Sequence, residues 1–480
     1  MKIDIDDIYG RAETLYHELQ MDNLPRELKR NSIDYYYLSV YPAIGSLKTY
    51  TGKTLEYPEQ IKNIYIHIPF CSGSCRFCSY VFKPIDSEQD IYLIENYYEL
   101  LKKELLLHAR NTSISLSYLY FGGGTPSLTP PEVFEDFLDF LDENEFMEHE
   151  NIFATIELHP EIFQKGAQLD ELLRISRKYK INRFSIGYQS HESSLLKYYT
   201  RRHDPEFLSN AVARLKSDGI EYINIDTMYG LPHQSIESWM MTLESVLNMN
   251  PESISCYFLF VDKHTKLHND ILHGKVHLPT HKHIQIQHLI SQILLESNGY
   301  IEIPNDYYWK NLQHTREMDF VPRLPSKAHT LALGAGSYGY MKSSQYCNYF
   351  AIERYRHSLE NGFLPIWKST KLNQDGSYIR DIMFSLKNES HLNACLFRET
   401  YGQFMTETHP DLVRLLLEKG LLERFDDNLR LSRKGRLCVE EIATAFVESG
   451  SEHNFTSVVS KADRILNEKH NYFPTYWNIT

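Results

Sequence analysis

Asn63-Ile64-Tyr65-Ile66-His67-Ile68-Pro69-Phe70-Cys71-Ser72-Gly73-Ser74-Cys75-Arg76-Phe77-Cys78 is the stretch that decides the reading. Its first half, Asn63 to Phe70, reads as a strand, and its second half sets three thiols in a short loop directly after that strand. The chain has seven cysteines, and three of them are here. A cubane iron-sulfur cluster usually takes four cysteine ligands, so three at this spacing imply that one iron stays open to a ligand that is not protein. A zinc knuckle would need a fourth ligand from a distant Cys or a nearby His, and a redox or unliganded thiol group would need none. Spacing alone leaves both of these readings open.

The surroundings of the loop are those of a soluble globular chain. A length of 480 residues with 42% hydrophobic and 13% aromatic content implies a large core and more than one domain. No stretch is long and apolar enough to cross a membrane, Met1-Lys2-Ile3-Asp4 begins no signal peptide, and the expected address is the cytoplasm. Reducing surroundings suit an oxidisable cluster, and Cys256, Cys347, Cys395 and Cys438 show no pairing pattern, so these four read as packing residues. A formal net charge of -13 argues against nucleic acid as a partner, although it leaves room for a local basic pocket. Part of that charge lies in residues 132–143, where Phe134, Phe137, Leu138 and Leu141 form the apolar stripe of a helix and the acids form its solvated face.

From about residue 60 onward, strand and helix patterns alternate, which points to α/β architecture with parallel βα units. The expected strands are Asn63 to Phe70, Leu116 to Phe121, Ala154 to Leu158, Arg183 to Gly187, Tyr222 to Met228 and Ser253 to Phe260. Six strands with five helices between them fit a partial (β/α)6 barrel. Ile94, Tyr97, Tyr98, Leu101 and Leu105 share one face of the first helix, and Leu208, Ala211, Val212 and Leu215 do the same in a later one that ends at Gly219. Reactive groups in such folds gather where strands end, and most of the motifs below fall at strand ends.

The expected division is an N-terminal arm or lid over 1–60, rich in tyrosine at Tyr35-Tyr36-Tyr37 and Tyr41-Pro42, and a partial barrel over 61–265. A barrel extension on the substrate side follows over 266–375, then a helical, winged-helix-like domain over 376–480. That last domain is read from a helix at Leu412 to Leu417, a turn at Asp426-Asp427-Asn428 and a returning Leu429-Arg430-Leu431.

The pattern Cys-x3-Cys-x2-Cys at Cys71, Cys75 and Cys78 resembles the signature of the radical S-adenosylmethionine (SAM) superfamily. Tyr65-Ile66-His67-Ile68-Pro69-Phe70-Cys71 is similar to the opening of the oxygen-independent coproporphyrinogen oxidase family. The resemblance implies a 4Fe-4S cluster on the three cysteines, with its open iron binding the amino and carboxylate groups of SAM. One electron then breaks the sulfur to C5' bond and releases a 5'-deoxyadenosyl radical.

Downstream motifs extend the likeness to about residue 345, and neither zinc nor a free thiol group accounts for them. Gly122-Gly123-Gly124-Thr125-Pro126 looks like the family's GGTP motif, which implies Gly123, Gly124 and Thr125 at the SAM amino group. Glu157, at a strand end, matches the acid that grips the SAM ribose hydroxyls, for which a carboxylate is a good acceptor. Gln189 and Arg201 match the next two motifs, and a planar guanidinium suits the SAM carboxylate.

Asn224-Ile225-Asp226-Thr227-Met228-Tyr229-Gly230-Leu231-Pro232 is similar to the family's Asn-Ile-Asp-x-x-Tyr-Gly-Leu-Pro and makes Asp226 a second SAM contact. Leu333-Gly334-Ala335-Gly336-Ser337-Tyr338 resembles a later glycine motif near the substrate. Tyr65 and His67, two apart on one strand, face the same side and are the candidate catalytic pair. Phe77, between two ligands, is expected to shield the cluster from water.

The family contains decarboxylating coproporphyrinogen oxidases, haem chaperones and methylases that use two SAM molecules. Tyr80 stands where the decarboxylases carry a further cysteine, and Tyr37 to Ala43 keeps only fragments of their Arg-Tyr-Thr-Ser-Tyr-Pro-Thr arm. His233 follows Pro232 where the haem chaperones have Gly. These departures favour two-SAM methylation-type chemistry on an aromatic or tetrapyrrole substrate, with coproporphyrinogen III decarboxylation and haem delivery as the alternatives. The resemblance implies one or two SAM molecules, a small-molecule substrate, and a reduced flavodoxin or ferredoxin as electron donor.

Overall fold

The computed structural model describes residues 3–23, 41–42, 46–311 and 329–449, apart from residues 53, 79, 81–82, 86–89, 149–151, 202, 263–264 and 305. Tyr35-Tyr36-Tyr37 and most of the Tyr37 to Ala43 fragment therefore lie outside the described residues.

All six expected strands form: β1 (Gln60–Ile68), β2 (Ser113–Gly123), β3 (Phe153–Leu158), β4 (Ile181–Gln189), β5 (Tyr222–Tyr229) and β6 (Ser253–Phe258). They pair in parallel and in chain order. Between them run α2 (Ile91–Ala109), α3 (Pro131–Glu143), α4 (Gly166–Tyr179), α6 (Pro205–Ser217) and α7 (Ile236–Met249), with a short additional helix, α5 (Ser193–Tyr198), before α6.

Side chains alternate across a strand, and here the two faces differ in chemistry. Ile64, Ile66, Phe121, Ile156, Phe184, Ile186, Ile223, Ile225 and Ile254 are fully buried against the helices. The intervening positions, such as Tyr65, Glu157, Ser185, Asn224, Asp226 and Ser255, carry polar groups that bond to one another across neighbouring strands.

The parallel core extends beyond these six strands. Strand β9 (Thr330–Leu333) pairs in parallel with β1, placing Ala332 opposite Tyr65. The antiparallel β10 (Tyr338–Met341), β11 (Ser344–Asn348) and β12 (Ile366–Lys371) continue that edge. At the other edge, β8 (Tyr307–Trp309) pairs antiparallel with β6, and β7 (Ile301–Ile303) pairs with β8.

Helix α1 (Ile5–Glu18) packs on α9 (His281–Ser297), which is buried on every side from Ile284 to Leu295. The acids of α3 are not simply solvated: Glu135 pairs with Arg174 and, at 3.0 Å, with Lys178 of α4. Among the described residues, no helix is long and apolar enough to cross a membrane.

The C-terminal part is largely helical. It holds α11 (Gln374–Glu389), α12 (Pro410–Glu418) and α13 (Val439–Ser449) with a hairpin of β13 (Leu422–Phe425) and β14 (Asn428–Leu431). Asp426 adopts φ 52°, as the tight turn requires. Arg436 ties this part to the barrel edge through Glu302 at 2.6 Å, and Glu302 also accepts from His288 at 2.9 Å. Cys256, Cys347 and Cys438 are buried as expected of packing residues, whereas Cys395 is exposed because it lies on the outer side of a short helix beside Glu399.

Two devices hold the ends of the central strands. The first joins β1 to β2, where Gly124 N donates to Ile68 O at 2.8 Å and Thr125 N donates to Phe70 O at 2.7 Å. A Cβ on Gly124 would sit 2.4 Å from Phe70 O, so only glycine fits. The second braces the Gly334 loop from α2. Buried Glu104 accepts from Gly334 N at 2.9 Å, from Asn348 Nδ2 at 2.6 Å and from the Tyr355 hydroxyl. Burial raises the Glu104 carboxyl to about 7, against the pull of those three donors.

Gly124→Ala is expected to force the two strand ends apart and to cost about 1–3 kcal/mol. The checks are the urea midpoint and the iron content of reconstituted protein. For Glu104, a raised carboxyl adds stability that is complete below its unfolded value of 4.5 and is lost as pH rises through about 7. Glu104→Gln should therefore gain about 2 kcal/mol relative to the unaltered protein on going from pH 5 to pH 8. Parallel denaturation curves that keep a constant separation would contradict this.

Candidate active site

The cysteine loop leaves β1 at the C-terminal edge of the sheet. Phe70–Cys71 pairs in parallel with Lys83–Pro84, which closes the loop at its base. Within it, Cys78 N donates to Cys75 O at 3.1 Å. All three cysteines are free thiols of intermediate burial. The Cys71 thiol lies 3.2 Å from Thr125 Oγ1, which attaches the loop to the end of the glycine run.

Burial pushes the Cys78 thiol up to about 12, and the neighbouring Cys75 and Cys71 add to that rise while Arg201 opposes it. Thiols crowded in this way become thiolates readily only when a cation compensates them. Among the described residues, no three His, Cys, Asp or Glu side chains converge as the shell of a single ion. A cubane, in which each sulfur takes a different iron, fits three thiols distributed along one loop.

Next to the loop, Glu157 accepts from the Tyr120 hydroxyl at 2.8 Å and from Gly123 N at 3.1 Å. Its carboxyl is raised to about 7, first by burial and then by Asp226. Gly122 and Gly123 leave room for this arrangement. A Cβ on Gly122 would lie 2.9 Å from Glu157 Oε1, and one on Gly123, at φ 113°, would lie 2.7 Å from the His67 ring.

One strand further, Asp226 accepts from Asn224 Nδ2 at 2.7 Å and from Ser185 Oγ at 3.2 Å, and burial raises its carboxyl as well. Arg201 donates to Gly187 O at 2.9 Å. The adjacent Thr200, at φ 64°, donates to Ser74 O at 2.7 Å, so this turn touches both β4 and the cysteine loop. Gln189 ends β4 at φ 69° and is buried.

Tyr65 and His67 do face the same side, and the Tyr65 hydroxyl lies 3.0 Å from His67 Nδ1. Behind them Tyr97 donates to His67 O at 2.9 Å and accepts from Ala335 N at 2.8 Å, linking the pair to the Gly334 loop. Phe77 sits in apolar surroundings. It packs on Tyr199, with ring centroids 5.6 Å apart, and on the apolar group that includes Leu267 and Val276.

Several residues of this face were not picked out as site residues from the sequence. Arg183 stacks on Trp309 at 5.1 Å and pulls the Glu157 and Asp226 carboxyls down against burial. Tyr120, Tyr257 and Tyr307 join Tyr65 and Tyr80 in the electrostatic reach of Glu157 or Asp226, and Tyr338 lies within reach of Tyr65 and Tyr80. The Tyr65 and Tyr120 rings are 5.8 Å apart, and the Tyr257 and Tyr307 hydroxyls are 3.1 Å apart. The signal that could have revealed them was present: polar or aromatic residues at every second position of isoleucine-rich strands, as in Arg183-x-Ser185 and Asn224-x-Asp226.

Comparison with known proteins agrees with this geometry. The family model described as the radical SAM superfamily matches residues 65–246. The heme chaperone HemW of Bacillus subtilis is 24% identical over 401 residues, covering 81% of this chain and 99% of that protein. The oxygen-independent coproporphyrinogen III oxidase of Helicobacter pylori (strain J99) is 26% identical over 430 residues, covering 85% of this chain and 91% of that protein. Among solved structures, Escherichia coli coproporphyrinogen III oxidase (HemN), described as a radical SAM enzyme, superimposes with a TM-score of 0.73 at 22% identity. That superposition covers 87% of this chain and 99% of the other. Residues 65–246 thus form a radical SAM domain, with Cys71, Cys75 and Cys78 for its 4Fe-4S cluster and SAM as its second cofactor, in a chain similar to heme chaperones and coproporphyrinogen III oxidases.

Proposed function

We propose that this protein cleaves SAM reductively and turns the resulting radical chemistry on a tetrapyrrole of the coproporphyrinogen class. The observation that carries this reading is the aromatic lining beside the cysteine loop. Tyr120 bonds to Glu157, its ring lies 5.8 Å from that of Tyr65, and Tyr257 and Tyr307 meet at their hydroxyls, offering flat faces and hydroxyls to a flat, polar-edged substrate. When bound, the cluster supplies the electron that splits the sulfur to C5' bond of SAM.

The protein's own residues bind and orient. Gly123, Gly124 and Thr125 present backbone groups to the SAM amino end, Arg201 meets its carboxylate, and Glu157 accepts from its ribose hydroxyls. Asp226 and Gln189 complete that side, and Phe77 keeps water from the back of the cysteine loop. Tyr65 and His67, hydrogen-bonded to each other, present a polar pair to the substrate and can pass a proton between hydroxyl and ring.

A second reading, haem delivery, is supported by the match to nearly the whole of a heme chaperone and by Tyr80, which stands where decarboxylases carry a cysteine. Tyr80 is 59% exposed and lies beside Cys78 and Tyr338. Methyl transfer, the first expectation from the sequence, has weaker support. The relatives described above are coproporphyrinogen oxidases and haem chaperones, and the Tyr65 hydroxyl is already engaged by His67.

Anaerobic turnover of coproporphyrinogen III with SAM, a reductant for SAM cleavage and a one-electron acceptor for the electron left when the propionate radical loses carbon dioxide should release carbon dioxide in step with 5'-deoxyadenosine. Stoichiometric haem binding without carbon dioxide would move the assignment to haem delivery, and label from methyl-labelled SAM in a product would move it to methylation. Absence of 5'-deoxyadenosine would remove the radical reading altogether. Glu157 gives a pH test as well: it is a full acceptor only when ionised, above about 7. SAM affinity should weaken by about tenfold between pH 8 and pH 6, and Glu157→Gln should bind SAM weakly with no such slope.

A further inference from the structure

Although the chain carries a net charge of -13, the segment covering the back of the cysteine loop is cationic. Helix α8 (Lys266–Leu272) and the residues that follow it, to Leu278, pack over Arg76 and Phe77. Leu267 N donates to Arg76 O at 3.0 Å, and Arg76 reaches Asp270 at 2.6 Å while lying 5.0 Å above the Tyr198 ring.

Between Thr265 and Thr280 the sole acid is Asp270. Its side chain is only 15% exposed and is shared by Arg76 and, at 3.7 Å, by Lys275. Lys266 and Lys275 project into solvent, as does Lys197 at the end of α5 that meets Arg76. Glu192 lies at the far end of α5, and Asp262 is half-buried and already engaged. At the tip of α8, Leu272 is 64% exposed, an apolar contact set in a positive rim.

We propose that this face docks a small acidic one-electron carrier protein. Cys71 is bonded to Thr125 on the side where the candidate SAM residues lie. Phe77, between Cys75 and Cys78, packs in the apolar group that includes Leu267, Ile271 and Val276 of the α8 segment. A carrier seated on α8 therefore rests on the element that touches the cysteine loop directly, through Leu267 N to Arg76 O and through Phe77. One electron passes: the reduced carrier is oxidised by one electron and the cluster is reduced by one. Opposite charges steer such an encounter and weaken with salt, and the exposed leucine gives the docked state its apolar centre. The inference rests on the cluster assignment but not on which substrate is transformed.

The test uses cluster-loaded protein without SAM or substrate, a reduced flavodoxin as the carrier, and dithionite as a small reductant. The unaltered protein should bind flavodoxin with an affinity that falls as salt rises. The double variant Lys266→Glu/Lys275→Glu should bind about tenfold more weakly at low salt. Its iron content and its reduction by dithionite should be unchanged, while reduction by flavodoxin slows. Leu272→Ala should weaken binding without altering the salt slope. Equal flavodoxin affinity in the charge-reversed variant would overturn the docking face. So would slower reduction by dithionite, since α8 would then merely support the loop. Failure of the cluster to form in the unaltered protein would instead count against the assignment of the site itself.

Discussion

The close approach of the ends of β1 and β2 is the constraint on which the site depends. Gly124 and Thr125 donate to carbonyls of Ile68 and Phe70, and the strand ends touch without an intervening side chain. That contact sets the cysteine loop beside the glycine run, and Cys71 against Thr125. It also brings Gly123 N to the Glu157 carboxylate, so thiols, backbone donors and an acid from three strands meet over a few ångströms. Each of these groups is ordinary alone, and the parallel register is what collects them.

The inner face of the barrel balances burial against charge. Glu157 and Asp226 are both raised by burial, and neither could persist there without donors. Tyr120, Ser185 and Asn224 supply those donors, and Arg183 supplies the opposing charge. Carboxyls held in this way accept hydrogen bonds strongly. The tyrosines around them add apolar faces without adding charge. Behind this layer, Tyr97 and Glu104 of α2 fix the Gly334 loop and with it the backbone of His67.

Local features were the legible ones. The three cysteines and the glycine run each occupy a few neighbouring positions, the acids end single strands, and the alternation of the six parallel strands is a property of each strand by itself. What escaped was non-local. Strand β9 pairs with β1 across more than two hundred residues of chain, and nothing in Thr330 to Leu333 announces that neighbour. Arg183 reads as an ordinary charged residue until β8 places Trp309 beneath it. The acids of α3 read as a solvated face because their partners Arg174 and Lys178 belong to another helix.

By itself the sequence determined the cluster loop, the order of strands and helices, and which residue types stand at strand ends, because these follow from spacing and periodicity along the chain. Tertiary structure alone decided that the Tyr65 hydroxyl meets His67, that Arg201 reaches Gly187 beside the cysteine loop, and that a cationic helix from residue 266 onward covers Phe77. These are contacts between side chains or segments whose positions depend on the packing around them, and only the folded register brings them within reach.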